Sequence, residues 1–306
     1  MKIAYIFPGQ GSQAVDMGMD FINNFELGKK LLKKANDRLD FKIEDVLKSK
    51  ELLSKTKFAQ PAILFVSSLI NQVFTSRINT KAEFALGHSL GEFSALVSAG
   101  ALDVIDGMDL VYNRGKFMQK CCDGIDAGMM VVLGLSDEIV ENFVKENKDL
   151  EIYPANYNMD GQIVLAGKKE DLSTSQDELK KLGAKRTILL DMSVASHCPL
   201  LKGVGDSLEP FLDKYIKDDF DMPIISNVTK EAYSSKEDAI KLLKKQLTKP
   251  VKYKQSISKF DEIDLFVEFG NSEVLSKMNK KITKVKTITI KSVESLENTI
   301  SLINAS

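Results

Sequence analysis

Along nearly all of this chain, short apolar runs closed by Gly, Pro or Asp alternate with stretches in which apolar residues recur every three or four positions. Runs of the first kind read as buried strands, and stretches of the second as helices packed on them. The alternation specifies an α/β fold with a mainly parallel sheet, because parallel neighbours need a crossover that a helix usually supplies. Residues 2–7 form the first strand and end at Pro8-Gly9. Met17, Phe21, Phe25, Leu31, Leu32, Ala35 and Leu39 follow at helical spacing, and another helix is expected after Pro61, a residue suited to a first turn. Residues 83–86 read as a strand, 90–98 as a helix, and Asp103 as the cap of a helix through Arg114 towards Cys122.

From about Ala127 the pattern changes. Residues 129–135, 151–156, 162–166 and 186–190 read as strands, and 136–147 and 170–182 as helices, with turns at Asp160-Gly161 and Gly183. That β-α-β-β-α-β order is ferredoxin-like. Helices 200–214, 236–247 and 273–282 then alternate with strands 223–226, 265–269 and 287–290 before a last helix. The expected architecture is therefore a large α/β-hydrolase-like domain with a parallel sheet, formed by residues 1–125 and 195–306. A ferredoxin-like small domain, residues 126–194, is inserted into it.

At 306 residues the chain buries enough surface to need no staples, so the odd set Cys121, Cys122 and Cys198 points to a reducing compartment. The 42 basic and 43 acidic residues nearly cancel, which argues against nucleic acid as the main partner. Pro8 and Gly9 break the first apolar run too early for a signal peptide. No uncharged apolar stretch of about 18 residues stands out as a membrane span, so a cytoplasmic location is expected.

Gly87-His88-Ser89-Leu90-Gly91 fits G-x-S-x-G where a strand meets a helix. Such an elbow holds a serine in a tight turn, its hydroxyl at a helix N-terminus where free N–H groups favour negative charge. Serine needs a base, and the chain has 2 histidines. His88 adjoins Ser89 on the elbow and points elsewhere, which leaves His197 as the base. Activity is then expected to fall as pH drops through the ordinary histidine range, near 6.5. No acid is obvious as a third member, and a backbone carbonyl orients an imidazole equally well.

Gly9-Gln10-Gly11-Ser12-Gln13-Ala14 matches a dinucleotide fingerprint, but the acidic residue required about 20 positions on is replaced by an amphipathic helix with Leu31, Leu32 and Lys33. A glycine-rich turn after a strand can instead aim a backbone N–H at the active crevice. Gln10 would then complete an oxyanion hole with the N–H of Leu90.

Taken together, 7-FPGQGSQ-13, 87-GHSLGE-92, 114-RGKFMQ-119 and Ser196-His197 closely resemble the malonyl-CoA:acyl-carrier-protein transacylases of bacterial type II fatty-acid synthesis, over essentially the whole chain. The resemblance implies a ping-pong transfer of malonyl from malonyl-CoA to the phosphopantetheine thiol of acyl carrier protein. It implies Ser89 as nucleophile, His197 as base and the N–H groups of Gln10 and Leu90 as oxyanion donors. Arg114 is implied as the grip on the malonyl carboxylate, and the backbone carbonyl of Gln246 as the group orienting the histidine. The partners implied are acyl carrier protein and a coenzyme A thioester, with no nucleic acid and no membrane. A monomer is expected, with neither metal nor cofactor.

Two departures stand out. Asn271-Ser272 follows Phe269-Gly270 where relatives commonly have Pro-Gly, and Ser196 stands where many have Phe, a neighbourhood tied to acyl selectivity in related acyltransferases. Lys277, Lys280, Lys281 and Lys284 read either as a solvated helix face or as a patch for an acidic carrier. The competing functional readings are a serine hydrolase built on the same Ser-His pair and a non-catalytic carrier-binding module.

Overall fold

The computed structural model describes residues 1–192 and 194–305; Ser193 and Ser306 lie outside the described residues. The chain opens with β1 (Ile3–Phe7), α1 (Met19–Asn24), α2 (Glu26–Arg38), α3 (Ile43–Lys48), α4 (Lys50–Ser54) and α5 (Thr56–Thr75). It continues through β2 (Ala82–Gly87), α6 (Gly91–Ser98) and α7 (Val104–Cys122), the last capped by the Asp103 carboxylate on the N–H of Ile105 at 2.8 Å. Next come β3 (Ala127–Leu133), α8 (Asp137–Glu146), β4 (Ile152–Met159), β5 (Gln162–Lys168), α9 (Lys169–Lys181) and β6 (Arg186–Leu189). The remainder is α10 (Val204–Tyr215), β7 (Ile224–Ile225), β8 (Ala232–Tyr233), α11 (Lys236–Thr248), α12 (Tyr253–Ile257), β9 (Leu265–Phe269), α13 (Val274–Ile282), β10 (Lys286–Ile290) and α14 (Val293–Asn304).

These strands form two sheets. The first has the order β10-β9-β1-β2-β7-β8, parallel throughout except for the β7–β8 pair. All five residues of β1 are buried, as a central strand covered on both faces requires. Its alternate side chains feed separate cores: Ile3, Tyr5 and Phe7 join one cluster, and Ala4 and Ile6 the other. The second sheet, β4-β5-β3-β6, is antiparallel and built within residues 127–189. Met130 and Val132 of β3 pack into that sheet's own core with Val140, Phe143, Leu172 and Leu179, whereas Met129 turns to the main core.

Contacts between the two bodies are specific. After α11 the chain runs beside β4, where the Val251 N–H donates to Ala155 O at 2.8 Å and the Tyr157 N–H to Val251 O at 2.9 Å. Lys254 reaches Asp137 at 2.5 Å and Asp160 at 3.0 Å.

Several local readings are corrected. Pro61 lies inside α5 rather than at its start; the first turn forms upstream, where Lys55 O accepts the N–H groups of Phe58 and Ala59, both at 2.9 Å. The Met17–Leu39 periodicity belongs to two helices broken at Phe25, which is extended with φ −124° and ψ 131°. The short elements α3, α4, α12 and β8 have too few residues to show a period. α5 does have the length and mean hydropathy (20 residues, 1.3) of a membrane span, but 83% of its apolar window is buried inside the fold. It is the central helix of the core.

Candidate active site

β2 delivers the chain into the elbow. Ser89 takes a left-handed conformation, φ +54°, which costs a non-glycine residue about 1–3 kcal/mol and persists only when its surroundings fix it. They do. Asn227 accepts the Ser89 N–H on Oδ1 at 2.7 Å and donates Nδ2–H to Gly87 O at 2.6 Å. A Cβ at Gly87 would strike the Gly91 backbone, and one at Gly91 would strike the Phe7 carbonyl, so both positions require glycine. The His88 N–H donates to Phe7 O at 2.9 Å, which seats the elbow on the end of β1.

His197, also left-handed with φ +61°, lies 108 residues from Ser89 in sequence and places Nε2 2.7 Å from Ser89 Oγ. Its Nδ1 lies 2.7 Å from Gln246 O. A carbonyl only accepts, so Nδ1 carries the proton and Nε2 presents its lone pair to the serine hydroxyl. Burial, helped by the Arg114 cation, pushes His197 down to about 3, so the ring is neutral throughout the physiological range. That corrects the expectation of a titration near 6.5. His88 does not compete: its Nε2 lies 2.8 Å from Asn158 Oδ1 on β4.

Arg114, on α7, is 2% exposed. Its guanidinium donates to Gln60 Oε1 at 2.7 Å and Gln246 Oε1 at 3.0 Å, and it stands 5.3 Å from the centre of the Phe93 ring. Nε has no acceptor. Burial pushes the group down to about 10, which leaves it cationic at neutral pH. A buried cation whose hydrogen-bond acceptors, among the described residues, are neutral amides is a ready partner for an anion.

Gln10, Ser89, Leu90, Arg114, Met129 and His197 line one cavity of about 310 Å³. Among the described residues, the N–H groups of Gln10 and Leu90 have no acceptor, so both are available as donors. Gln246 lies behind the wall, as do residues that sequence reasoning missed. Glu92 is 0% exposed and accepts from Gln246 Nε2 at 2.8 Å, the Asn227 N–H at 3.2 Å and the Tyr233 hydroxyl at 3.0 Å. Burial pushes Glu92 up to about 7 against the pull of those donors and of Arg114. An adjoining cavity of about 410 Å³ carries Lys55, Lys57 and Lys169 and shares Ser54, Asp191 and Met192 with the first. The lysines at 277, 280, 281 and 284 are exposed on and after α13.

Residues 4–295 match the acyl transferase domain family. Over 99% of its length the chain is 35% identical to the malonyl CoA-acyl carrier protein transacylase of Bacillus subtilis, covering 97% of that protein. The chain belongs to this transacylase family. The crystal structure of malonyl-CoA:acyl carrier protein transacylase from Helicobacter pylori superposes with a TM-score of 0.96 at 41% identity, covering 99% of each chain. A malonyl-transacylase solved in complex with a holo type II PKS acyl-carrier protein gives 0.94 at 32% identity, covering 99% of this chain and 100% of that one. Family membership accounts for a mixed α/β fold with one largely parallel and one antiparallel sheet.

Proposed function

We propose that this protein is a malonyl-CoA:acyl-carrier-protein S-malonyltransferase that feeds fatty-acid biosynthesis. The observation that carries the reading is the 2.7 Å approach of Ser89 Oγ to His197 Nε2 beside the buried Arg114 guanidinium. Ser89 Oγ attacks the malonyl thioester carbon as His197 Nε2 takes its proton. The oxyanion forms against the N–H groups of Gln10 and Leu90. As the tetrahedral intermediate collapses, the C–S bond breaks and His197 returns the proton to the leaving coenzyme A sulfur. The phosphopantetheine thiol of acyl carrier protein then gives its proton to His197, attacks the malonyl-serine ester and restores the Ser89 hydroxyl. Exchange of one thiol ester for another transfers no electrons, so the Ser-His pair suffices without metal or cofactor.

Arg114 grips the malonyl carboxylate with a planar fork, which gives the site its preference for a charged acyl group. The Gln246 carbonyl fixes the histidine tautomer in place of an acid. Lys55, Lys57 and Lys169, in the adjoining cavity, suit the phosphates of a coenzyme A thioester. The division into 1–125 with 195–306 and 126–194 is supported by the separate cores. An α/β-hydrolase-like description of the first fits the elbow at the carboxyl end of β2, and a ferredoxin-like one of the second fits the order β4-β5-β3-β6. Free Cys121, Cys122 and Cys198 fit a reducing cytoplasm.

The test is direct. Malonyl-CoA alone should add one malonyl group to the intact protein by mass spectrometry, and Ser89→Ala should abolish the adduct. Holo acyl carrier protein should discharge the adduct faster than buffer. Discharge by water at an equal rate would establish the serine hydrolase instead.

A further inference from the structure

Glu92 is a fully buried carboxylate that takes no part in the transfer chemistry, yet it joins the groups that do. The Gln246 side-chain amide lies between it and Arg114: Nε2–H donates to Glu92 Oε2 at 2.8 Å, and Oε1 accepts from Arg114 at 3.0 Å. Only one orientation of the amide satisfies both neighbours. Rotated by half a turn, it would set its NH2 against the cation and its oxygen against the carboxylate. The same Nε2 donates to Ser89 O at 3.0 Å, and the same residue's main-chain carbonyl holds His197 at 2.7 Å. The same Glu92 Oε2 also accepts the Asn227 N–H at 3.2 Å, and the Asn227 side chain holds the left-handed Ser89 through its N–H at 2.7 Å.

We infer that Glu92 is the positioning carboxylate of the site, locking Gln246 and Asn227 so that the nucleophile, the base and the carboxylate-binding arginine share one rigid anchor. The inference rests on the malonyl-transfer reading and deepens it. A serine triad uses its acid to hold the histidine directly. Here the acid acts one residue further back, through an amide, and orients the specificity arginine by the same bond. Malonyl transfer therefore depends on Glu92 twice, through Arg114 and through His197. Transfer of an uncharged acetyl group depends on it once.

Glu92→Gln tests this, because it keeps the volume but turns a donor towards Gln246 and Asn227. Against malonyl-CoA and acetyl-CoA, with holo acyl carrier protein as acceptor, kcat/KM for malonyl should fall about 100-fold, with a raised KM, and that for acetyl about 10-fold. In an Arg114→Ala background the same substitution should lower malonyl transfer by only about 10-fold, because the shared route has been cut. Equal losses for the two acyl groups, or additive losses in the double variant, would overturn the inference. Should Glu92→Gln fail to fold, Gln246→Met removes the amide from the other end, keeps the main-chain carbonyl and must show the same loss of malonyl preference. A Gln246→Met protein with wild-type preference would also overturn it. A wild-type protein that transfers no malonyl would sink the functional reading itself, and this inference with it.

Discussion

His197 donates its Nδ1–H to the main-chain carbonyl of Gln246 at 2.7 Å, in the place where a serine hydrolase commonly sets a carboxylate. A neutral carbonyl fixes the tautomer but does little to stabilise an imidazolium. Burial makes the base weak, the buried Arg114 cation weakens it further, and the Gln246 carbonyl offsets only part of that.

The pH dependence follows from that pairing. An imidazole of ordinary pKa would be only about 3% neutral at pH 5, whereas one lowered to about 3 is almost wholly neutral there. His197 should therefore contribute no acid limb near 6.5; a limb near 7 should come from Glu92 instead, and Glu92→Gln should leave the kcat/KM profile for malonyl-CoA flat to at least pH 5. Arg114→Ala removes a charge that lowers His197, so its acid limb should move to higher pH. A limb centred at 6.5 that persists in Glu92→Gln would contradict the buried, neutral base.

Stability should respond with the same sign. His197 is neutral in the fold but protonates near 6.5 when unfolded, so below that pH the unfolded chain binds the extra proton. Its contribution is complete above 6.5 and declines by about 1.4 kcal/mol per pH unit on the way down to 3. Denaturant midpoints at pH 6, 5 and 4 should fall more steeply for the wild type than for His197→Asn. Parallel lines would contradict the assignment.

Acyl preference should reside in Arg114. Without a carboxylate partner, the buried guanidinium disfavours an uncharged acyl group by about 2–5 kcal/mol, or roughly 30- to 4,000-fold. Arg114→Ala should lower malonyl transfer and raise the acetyl-to-malonyl ratio accordingly, as measured with both donors and one carrier protein. If both rates fall by the same factor, Arg114 is not the clamp.

The elbow leaves no room for a methyl group. Gly91→Ala drives a Cβ into the Phe7 carbonyl, and neither backbone segment can easily yield. We expect a loss of about 1–3 kcal/mol, a melting temperature lower by several degrees and slower formation of the malonyl adduct. An unchanged melting temperature would show that β1 and the elbow can separate.

The parts of the site that the sequence makes legible are those the chain builds locally. Ser89 sits where a strand, two glycines and a helix follow within 20 residues, and His197 stood out because the chain has few alternatives. Glu92, Asn227, Gln60 and Tyr233 were not legible, because their roles arise only when four distant segments meet in a dry interior. Glu92 did carry one signal: it is the sole charged residue in the mostly buried α6. The fold shows the same divide. Long elements were readable from their periods, whereas the break at Phe25 and the helical turn ahead of Pro61 depend on packing that a period does not encode.

The pairing of Val251 with β4 has one more consequence. The strand that receives it carries Asn156 at the cavity wall and Asn158 against His88, so the second sheet is stitched to the floor of the crevice rather than hinged above it. An opening fixed on this side by backbone hydrogen bonds suits a thin, linear tether. Malonyl-CoA and the holo carrier protein present the same pantetheine arm, so one narrow opening serves each in turn.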